Sequence, residues 1–270
     1  MSDRIGGAAP AVARGPSAVS ARLAGLAFLA LASTLAACGA RPEPRAEGRR
    51  SRPALASDAA EPIDADPNAD FANALITHSY IDPRAIARIS RFRSGVGHDF
   101  SDGRERCRSM KHYIEPRPEL DWAAIEIFAP ATGELVELAP EWAGARLRLR
   151  PESAPERRIV IFHVRPEAGI AVGRRVLAGQ RLGWHQGAET LSDIAIEVLE
   201  PTYRLESYFE LLDRSVRAEY AARGIADPGD LVRSRAQRDA QPLRCAGDRF
   251  LDPADPSDWI ALRPIDAEAP

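Results

Sequence analysis

A histidine and a carboxylate stand four residues apart in a glycine-containing segment near the middle of the chain. Segment 94–102 (SGVGHDFSD) places His98 four residues before Asp102. Its glycines allow the backbone to come close to a bound group. One imidazole and one carboxylate suit zinc, whose catalytic sites use three protein ligands and keep one position open. The same spacing also occurs in a hydrogen-bonded turn, which is the alternative interpretation.

Four further sequence blocks follow this segment in order. They are 128–136 (FAPATGELV), 159–164 (IVIFHV), 172–183 (VGRRVLAGQRLG) and 192–198 (SDIAIEV). In this order of blocks the chain resembles the lysostaphin/LytM-type zinc endopeptidases, which cut peptide cross-bridges in bacterial cell wall. The resemblance covers about Ser94 to Leu199, and block 172–183 is its most specific part. It implies a zinc cofactor and peptidoglycan as the substrate or partner.

The resemblance assigns roles to individual positions. His98 and Asp102 match the first two zinc ligands of the family, and His163 matches a strand histidine that assists catalysis. In the last block, Asp193 stands where the family has its catalytic histidine. Ala195 stands where the family has its third zinc ligand, and an alanine methyl cannot bind a metal.

These departures leave two functions open. The first is a degenerate domain that binds cell wall or a wall hydrolase without cutting. The second is an active zinc endopeptidase in which Asp193 replaces the missing ligand, or in which His163 completes a three-ligand site. Both predict that His98, Asp102, His163 and Asp193 converge on one groove.

The remaining histidines and the single lysine carry weaker signals. His185 follows a glycine turn and is expected at the rim of the groove or in an exposed loop. Lys111 and His112 could contact an anionic partner, although a solvated loop is the simpler expectation. His78 has no constellation around it. A biotinyl- or lipoyl-carrier reading fails because Lys111 precedes both blocks that such a carrier would place around its lysine.

Alternating apolar and polar residues predict a mainly β fold. Segment 146–150 (RLRLR) alternates cleanly, and glycines punctuate short strands between residues 124 and 199. We expect an antiparallel β-sandwich or curled sheet of the lysostaphin-type, duplicated-hybrid-motif-like fold, with C-terminal helices. Helical spacing predicts a helix over 205–220, which Gly224 ends, and a second over 231–239. A further strand is expected over 88–93.

The first 37 residues predict a lipoprotein signal peptide. Three arginines precede the apolar run 23–32, and small residues precede Cys38, the expected lipidation site. An ordinary signal peptide is the alternative. No aspartate follows Cys38, which favours the outer membrane facing the periplasm. Residues 38–70 then read as a flexible linker, 71–200 as the β domain, 201–252 as a helical extension and 253–270 as a loose tail.

Composition and cysteine content narrow the possible classes. The 36 basic and 39 acidic side chains nearly balance, which argues against a nucleic-acid binder held by phosphate attraction. Lys111 is the only lysine. An exported chain with two cysteines besides Cys38 favours a disulfide between Cys107 and Cys245, and two buried free thiols are the alternative.

Overall fold

Thirteen strands and two α-helices form most of the regular structure in residues 73–264, the part of the chain that the computed structural model describes. The strands are β1 (Ile86–Ser90), β2 (His112–Pro116), β3 (Glu126–Phe128), β4 (Gly133–Pro140), β5 (Ala145–Pro151), β6 (Arg157–Pro166), β7 (Arg175–Val176), β8 (Arg181–His185), β9 (Ser192–Val198), β10 (Arg204–Glu206), β11 (Cys245–Ala246), β12 (Arg249–Phe250) and β13 (Trp259–Ala261). The helices are α1 (Arg214–Ala222) and α2 (Arg235–Ala240). The predicted mainly β, antiparallel class is confirmed.

Eleven strands belong to one antiparallel sheet. Its main path runs β13-β1-β2-β9-β6-β5-β4-β7, with β10 beside β9 and the pair β3-β8 joined through β6. Strand β9 lies between β2 and β6, and all seven of its residues are buried. Ile194 and Ile196 point into the main hydrophobic core, whereas Ala195 packs in a separate small cluster on the opposite face.

The clean alternation of β5 matches its packing. Its leucines Leu147 and Leu149 are buried in the main core. The arginines that alternate with them pair with glutamates, as Arg148 does with Glu137 of the adjacent β4 and with Glu197 of β9, which lies beyond β6. Opposite charges on adjacent strands stabilise the pairing, so the polar half of the alternation also specifies the sheet.

The predicted helix over 205–220 is wrong at its beginning. Leu205 belongs to β10, and α1 begins only at Arg214, where the side chain of Asp213 caps the helix by accepting from the Val216 amide. The apolar side chains of the region still pack into the main core, because a 3-10 turn at Phe209–Leu211 directs them inward. Gly224 follows the helix with a φ of +94°, as its C-terminal position predicts.

The prediction of a loose tail after residue 253 needs correction. Strand β13 pairs with β1, and Ile260 lies opposite Ile89. The side chain of Asp258 is fully buried and accepts hydrogen bonds from Arg233, Arg238 and the amide of Gly95. These buried ionic contacts explain why a proline- and aspartate-rich segment is held against the sheet.

The segment predicted as a C-terminal helical extension, residues 201–252, packs on the β domain. Residues 73–264 lie within one compact unit, and Val216 and Tyr220 of α1 share the core of the sheet. Cys107 and Cys245 form a disulfide that joins the segment before β2 to β11. The second helix is shorter than predicted and begins after a capping box at Ser234 and Gln237.

Several sequence predictions lie outside the described residues. These are the signal peptide, the lipidation site at Cys38, the linker up to residue 70, and residues 265–270. Within residues 73–264 no helix is both long and apolar enough to cross a membrane.

Candidate functional site

The site is built on the face of β2, β6 and β9 that points away from the main core. Tyr113 of β2 lies directly opposite Asp193 of β9 in the antiparallel register. Lys111 precedes Tyr113 by two residues, so its side chain lies on the same face, diagonally across from Asp193. The strand pairing therefore brings the only lysine of the chain to a carboxylate 82 residues away.

Lys111 and Asp193 form a buried ion pair. The ammonium Nζ donates a hydrogen bond to Oδ2 of Asp193, and the two side chains are 3% and 0% exposed. Aromatic rings surround the ammonium, with centroids 4.2 Å away at Phe162, 4.8 Å at Tyr113 and 5.1 Å at Phe100. Cation–π attraction and the carboxylate together offset the cost of burying the charge.

A bulge in β6 aims His163 at this pair. The register of β5 against β6 shifts between Ala145 and Leu147, and His163 has a φ of +58°, which is uncommon for a residue other than glycine. Its Nδ1 donates to the carbonyl of Ala143 at 3.0 Å. Its Nε2 lies 3.4 Å from Oδ1 of Asp193. The imidazole is therefore oriented through one nitrogen and faces the carboxylate with the other.

A pocket of about 520 Å³ opens beside these groups. Its wall includes His98, Phe100, Lys111, Phe162 and His163, and its further lining residues include Glu141, Trp142 and Thr190. The indole of Trp142 is 76% exposed and stands edge-to-face against His163, with 5.3 Å between ring centroids. An exposed aromatic ring beside buried polar groups is typical of a ligand-binding surface.

Two buried carboxylate oxygens in this region accept no hydrogen bond from other described residues. They are Oδ1 of Asp193 and Oε2 of Glu141, which lies 3.7 Å from Nδ1 of His163. A buried acceptor without a partner costs about 1–3 kcal/mol. The two oxygens are therefore available to accept hydrogen bonds from a ligand.

The structure unites only some of the predicted site residues. His98 and His163 line the same pocket, and His163 faces Asp193. Asp102 does not contribute to the pocket, because its Oδ1 accepts from the amides of Arg104 and Glu105, and its Oδ2 accepts from the amide of Leu205. For Asp102 the geometry is that of the hydrogen-bonded turn.

Zinc does not fit the residues present. In residues 73–264 no three histidine, cysteine, aspartate or glutamate side chains are grouped so that they could hold a metal ion. Asp193, the expected substitute ligand, is bound by the ammonium of Lys111, which supplies the positive charge that a metal would bring. The methyl of Ala195 packs with Val160 and Phe162, so this side of β9 offers no ligand at that position.

Two histidines and the lysine that were expected in exposed loops are buried. His112 lies in β2 between the carbonyl of Ser90 and the hydroxyl of Ser207, and burial lowers its pKa to about 4. His185 ends β8 and accepts from the amide of Gly187, and burial lowers its pKa as well. His78 is half-buried against Phe128.

A second pocket, of about 490 Å³, lies between the His78 loop and α1. Its lining includes Asp82, Glu219 and Arg223 but none of the site residues predicted from the sequence. The pocket beside Lys111 therefore remains the candidate functional site.

Sequence reasoning missed the central role of Lys111 and the contributions of Tyr113, Glu141 and Trp142. One signal was available, because a single lysine among 36 basic residues is an unusual choice where arginine is otherwise used. The alternation of Lys111 and Tyr113 around His112 also fits a strand, which would place the two on one face.

Comparisons with known proteins yield structural neighbours alone. Neither a protein-family profile nor a curated protein matches the chain. A solved structure described as a glycyl-glycine endopeptidase, lytM, from Ruminococcus gnavus is 16% identical with a TM-score of 0.31, over 37% of this chain and 44% of that one. The solution structure of lysostaphin is 13% identical with a TM-score of 0.30, over 46% of this chain and 51% of lysostaphin. The chain thus matches about half the length of each.

Proposed function

We propose that this domain is a metal-free, peptidase-like module that binds cell-wall peptide without cutting it. The observation that carries the proposal is the buried pair of Lys111 and Asp193, which neutralises the carboxylate that a metal would need. Without a metal, the site also lacks a second histidine facing Asp193 to polarise or activate a water molecule. The order of sequence blocks from Ser94 to Leu199 supports peptidoglycan as the ligand class.

The pocket suits a short peptide. Its apolar wall of Phe100 and Phe162 provides contact area, and the exposed indole of Trp142 provides an aromatic surface of the kind that dominates binding energies. Glu141 offers a free carboxylate oxygen to a backbone amide or an amine of the ligand. Peptide cross-bridges of the cell wall contain both kinds of donor.

The test combines metal analysis with wall binding. We expect less than stoichiometric zinc in the purified chain after zinc is added and excess is removed. We expect the chain to sediment with purified peptidoglycan sacculi, and Trp142→Ala to weaken this binding about tenfold. Leu177→Ala is the matched control, since Leu177 is exposed and does not line the pocket.

Two results would overturn the proposal. Stoichiometric zinc that is lost in both His98→Ala and Asp193→Ala would restore the endopeptidase with Asp193 as a ligand. Equal binding by Trp142→Ala and Leu177→Ala, or no binding to sacculi at all, would remove the assigned wall-binding surface.

The same proposal places the domain in the cell envelope, anchored through Cys38. The support is the basic and apolar N-terminal sequence followed by small residues before this cysteine. We expect Cys38→Ala to move the chain from the membrane fraction to the soluble fraction. Retention in the membrane fraction would contradict lipid anchoring at Cys38.

A further inference from the structure

The pair of Lys111 and Asp193 has the arrangement that two side chains need to form a covalent bond. The amine nitrogen of Lys111 is already in contact with a carboxylate oxygen of Asp193, and the strand register fixes their approach across β2 and β9. Positioning two reacting groups in this way replaces a bimolecular encounter by an intramolecular one, which is worth several orders of magnitude in rate.

The surroundings exclude water from the two reacting groups. Both side chains are almost completely excluded from water, and the rings of Phe100, Tyr113 and Phe162 enclose the amine. Transfer of one proton from the ammonium to the carboxylate converts the ion pair into a neutral amine and a neutral carboxylic acid.

A third group lies where the reaction needs a proton to be passed from the amine to the carboxyl group. Nε2 of His163 lies 3.4 Å from Oδ1 of Asp193, the carboxylate oxygen that Lys111 does not hold. That oxygen accepts no other hydrogen bond within residues 73–264. The bond from Nδ1 to the carbonyl of Ala143 holds the ring in this orientation.

We propose that Lys111 and Asp193 condense spontaneously to an intramolecular isopeptide bond that joins β2 to β9. The neutral Nζ attacks Cγ of Asp193 and forms a C–N bond. Nε2 of His163 takes a proton from the attacking nitrogen and passes it to the hydroxyl oxygen of the carboxyl group. The C–O bond to that oxygen breaks and one water molecule leaves, so an ammonium and a carboxylate yield one amide and one water without any oxidant or co-reactant.

The pocket provides a path for the water that is released. Lys111 and His163 both line the pocket, which is open to solvent. The bond would make the connection of β2 to β9 permanent, independently of any ligand.

Tryptic digestion of the reduced, denatured chain tests the bond directly. If Lys111 carries a free amine, trypsin cleaves after it and releases residues 109–111 together with the linear peptide 182–204. If the amide is present, trypsin cannot cleave there. We then expect one branched peptide that contains residues 109–146 and 182–204. Its mass is the sum of the masses of these two segments as free peptides minus one water molecule.

Amine labelling gives an independent readout, because Lys111 carries the only ε-amine of the chain. We expect the denatured wild-type chain to take up no ε-amine label. In the tryptic digest, Lys111→Arg and Asp193→Ala should yield no branched peptide. His163→Gln should retain a labelled, uncoupled fraction that decreases slowly with time.

Full release of residues 109–111 from the wild-type chain, with a labelled Lys111, would overturn the bond. Complete coupling in His163→Gln would overturn the role given to His163. Neither readout depends on zinc content or on binding to sacculi, so this inference and the proposed function fail separately.

Discussion

His112 illustrates how a single buried side chain controls the response of the fold to pH. Its side chain has no exposed surface and forms hydrogen bonds with the carbonyl of Ser90 and the hydroxyl of Ser207. Its ring packs edge-to-face on Phe209, with 4.7 Å between the ring centroids. Burial lowers its pKa from the ordinary value of 6.5 to about 4, because the charged imidazolium is poorly solvated there.

This depressed pKa predicts a loss of stability in mild acid. Between pH 6.5 and 4 the unfolded chain binds a proton at this histidine that the folded chain does not, so the free energy of unfolding falls as the pH falls. The resulting decrease in the free energy of unfolding amounts to about 3 kcal/mol and is nearly complete at pH 4. We expect urea unfolding of His112→Gln to show a correspondingly shallower pH dependence than the wild type.

The comparison is made over pH 4 to 7.5, where the difference between the two proteins isolates His112 from other titrating groups. Parallel stability curves for the two proteins would contradict the prediction.

At the residue scale, the sequence allows only part of the site to be predicted. The order of sequence blocks singles out His163 and Asp193, and the structure places Nε2 of His163 3.4 Å from Oδ1 of Asp193. It cannot show that Lys111 is buried, because lysine is among the residues least often buried and its partner is 82 positions away. Only the register of β2 against β9 places them together.

Among the elements, the short strand β13 is held in place by the residue that precedes it. Strand β13 has three residues, yet Asp258 immediately before it binds Arg233 and Arg238, of which Arg238 is almost fully buried. Asp258 also accepts from the amide of Gly95, in the loop that leads to His98. One carboxylate thus connects the end of the described chain, α2 and the site loop.

Removal of this carboxylate should destabilise the domain strongly. Asp258→Ala leaves two arginines and one amide without their acceptor in a buried position, which typically costs about 3–5 kcal/mol. We expect urea unfolding to show a loss of this size, and hydrogen exchange to show faster opening of β1.

Asp252→Ala is the matched control, because Asp252 pairs with Arg244, whose side chain is 72% exposed. Such a pair contributes less than about 1 kcal/mol. Equal losses in the two variants would show that Asp258 does not hold the tail.

How well the sequence predicts an element depends on whether local periodicity or long-range contacts determine its structure. The alternation of β5 has one periodicity and one buried face, so its sequence pattern is unambiguous. Residues 205–220 have helical spacing, but Leu205 pairs with Glu197 of β9, and sheet pairing overrides local spacing there. The tail has the composition of a loop, and only its buried ion pairs reveal that it is ordered.

At the scale of the whole molecule, the two faces of the sheet have different roles. One face of β6 and β9 carries the main core, and the other carries the cluster around Ala195 and the pocket. Substitutions on the pocket face can therefore change the chemistry of the site while the core that maintains the fold is preserved.

The disulfide between Cys107 and Cys245 gives the domain an unusual response to mechanical load. The two cysteines are 138 residues apart, and strands β2 to β10 lie between them. Tension applied at the two ends of the described chain is therefore carried by the disulfide and does not extend the residues between the cysteines. Reduction should release roughly 450–500 Å of hidden contour length in single-molecule pulling. If Lys111 and Asp193 are also joined, the 82 residues between them stay hidden, and only roughly 190 Å appears. The bond between Lys111 and Asp193 would thus limit how far the domain extends under load after reduction.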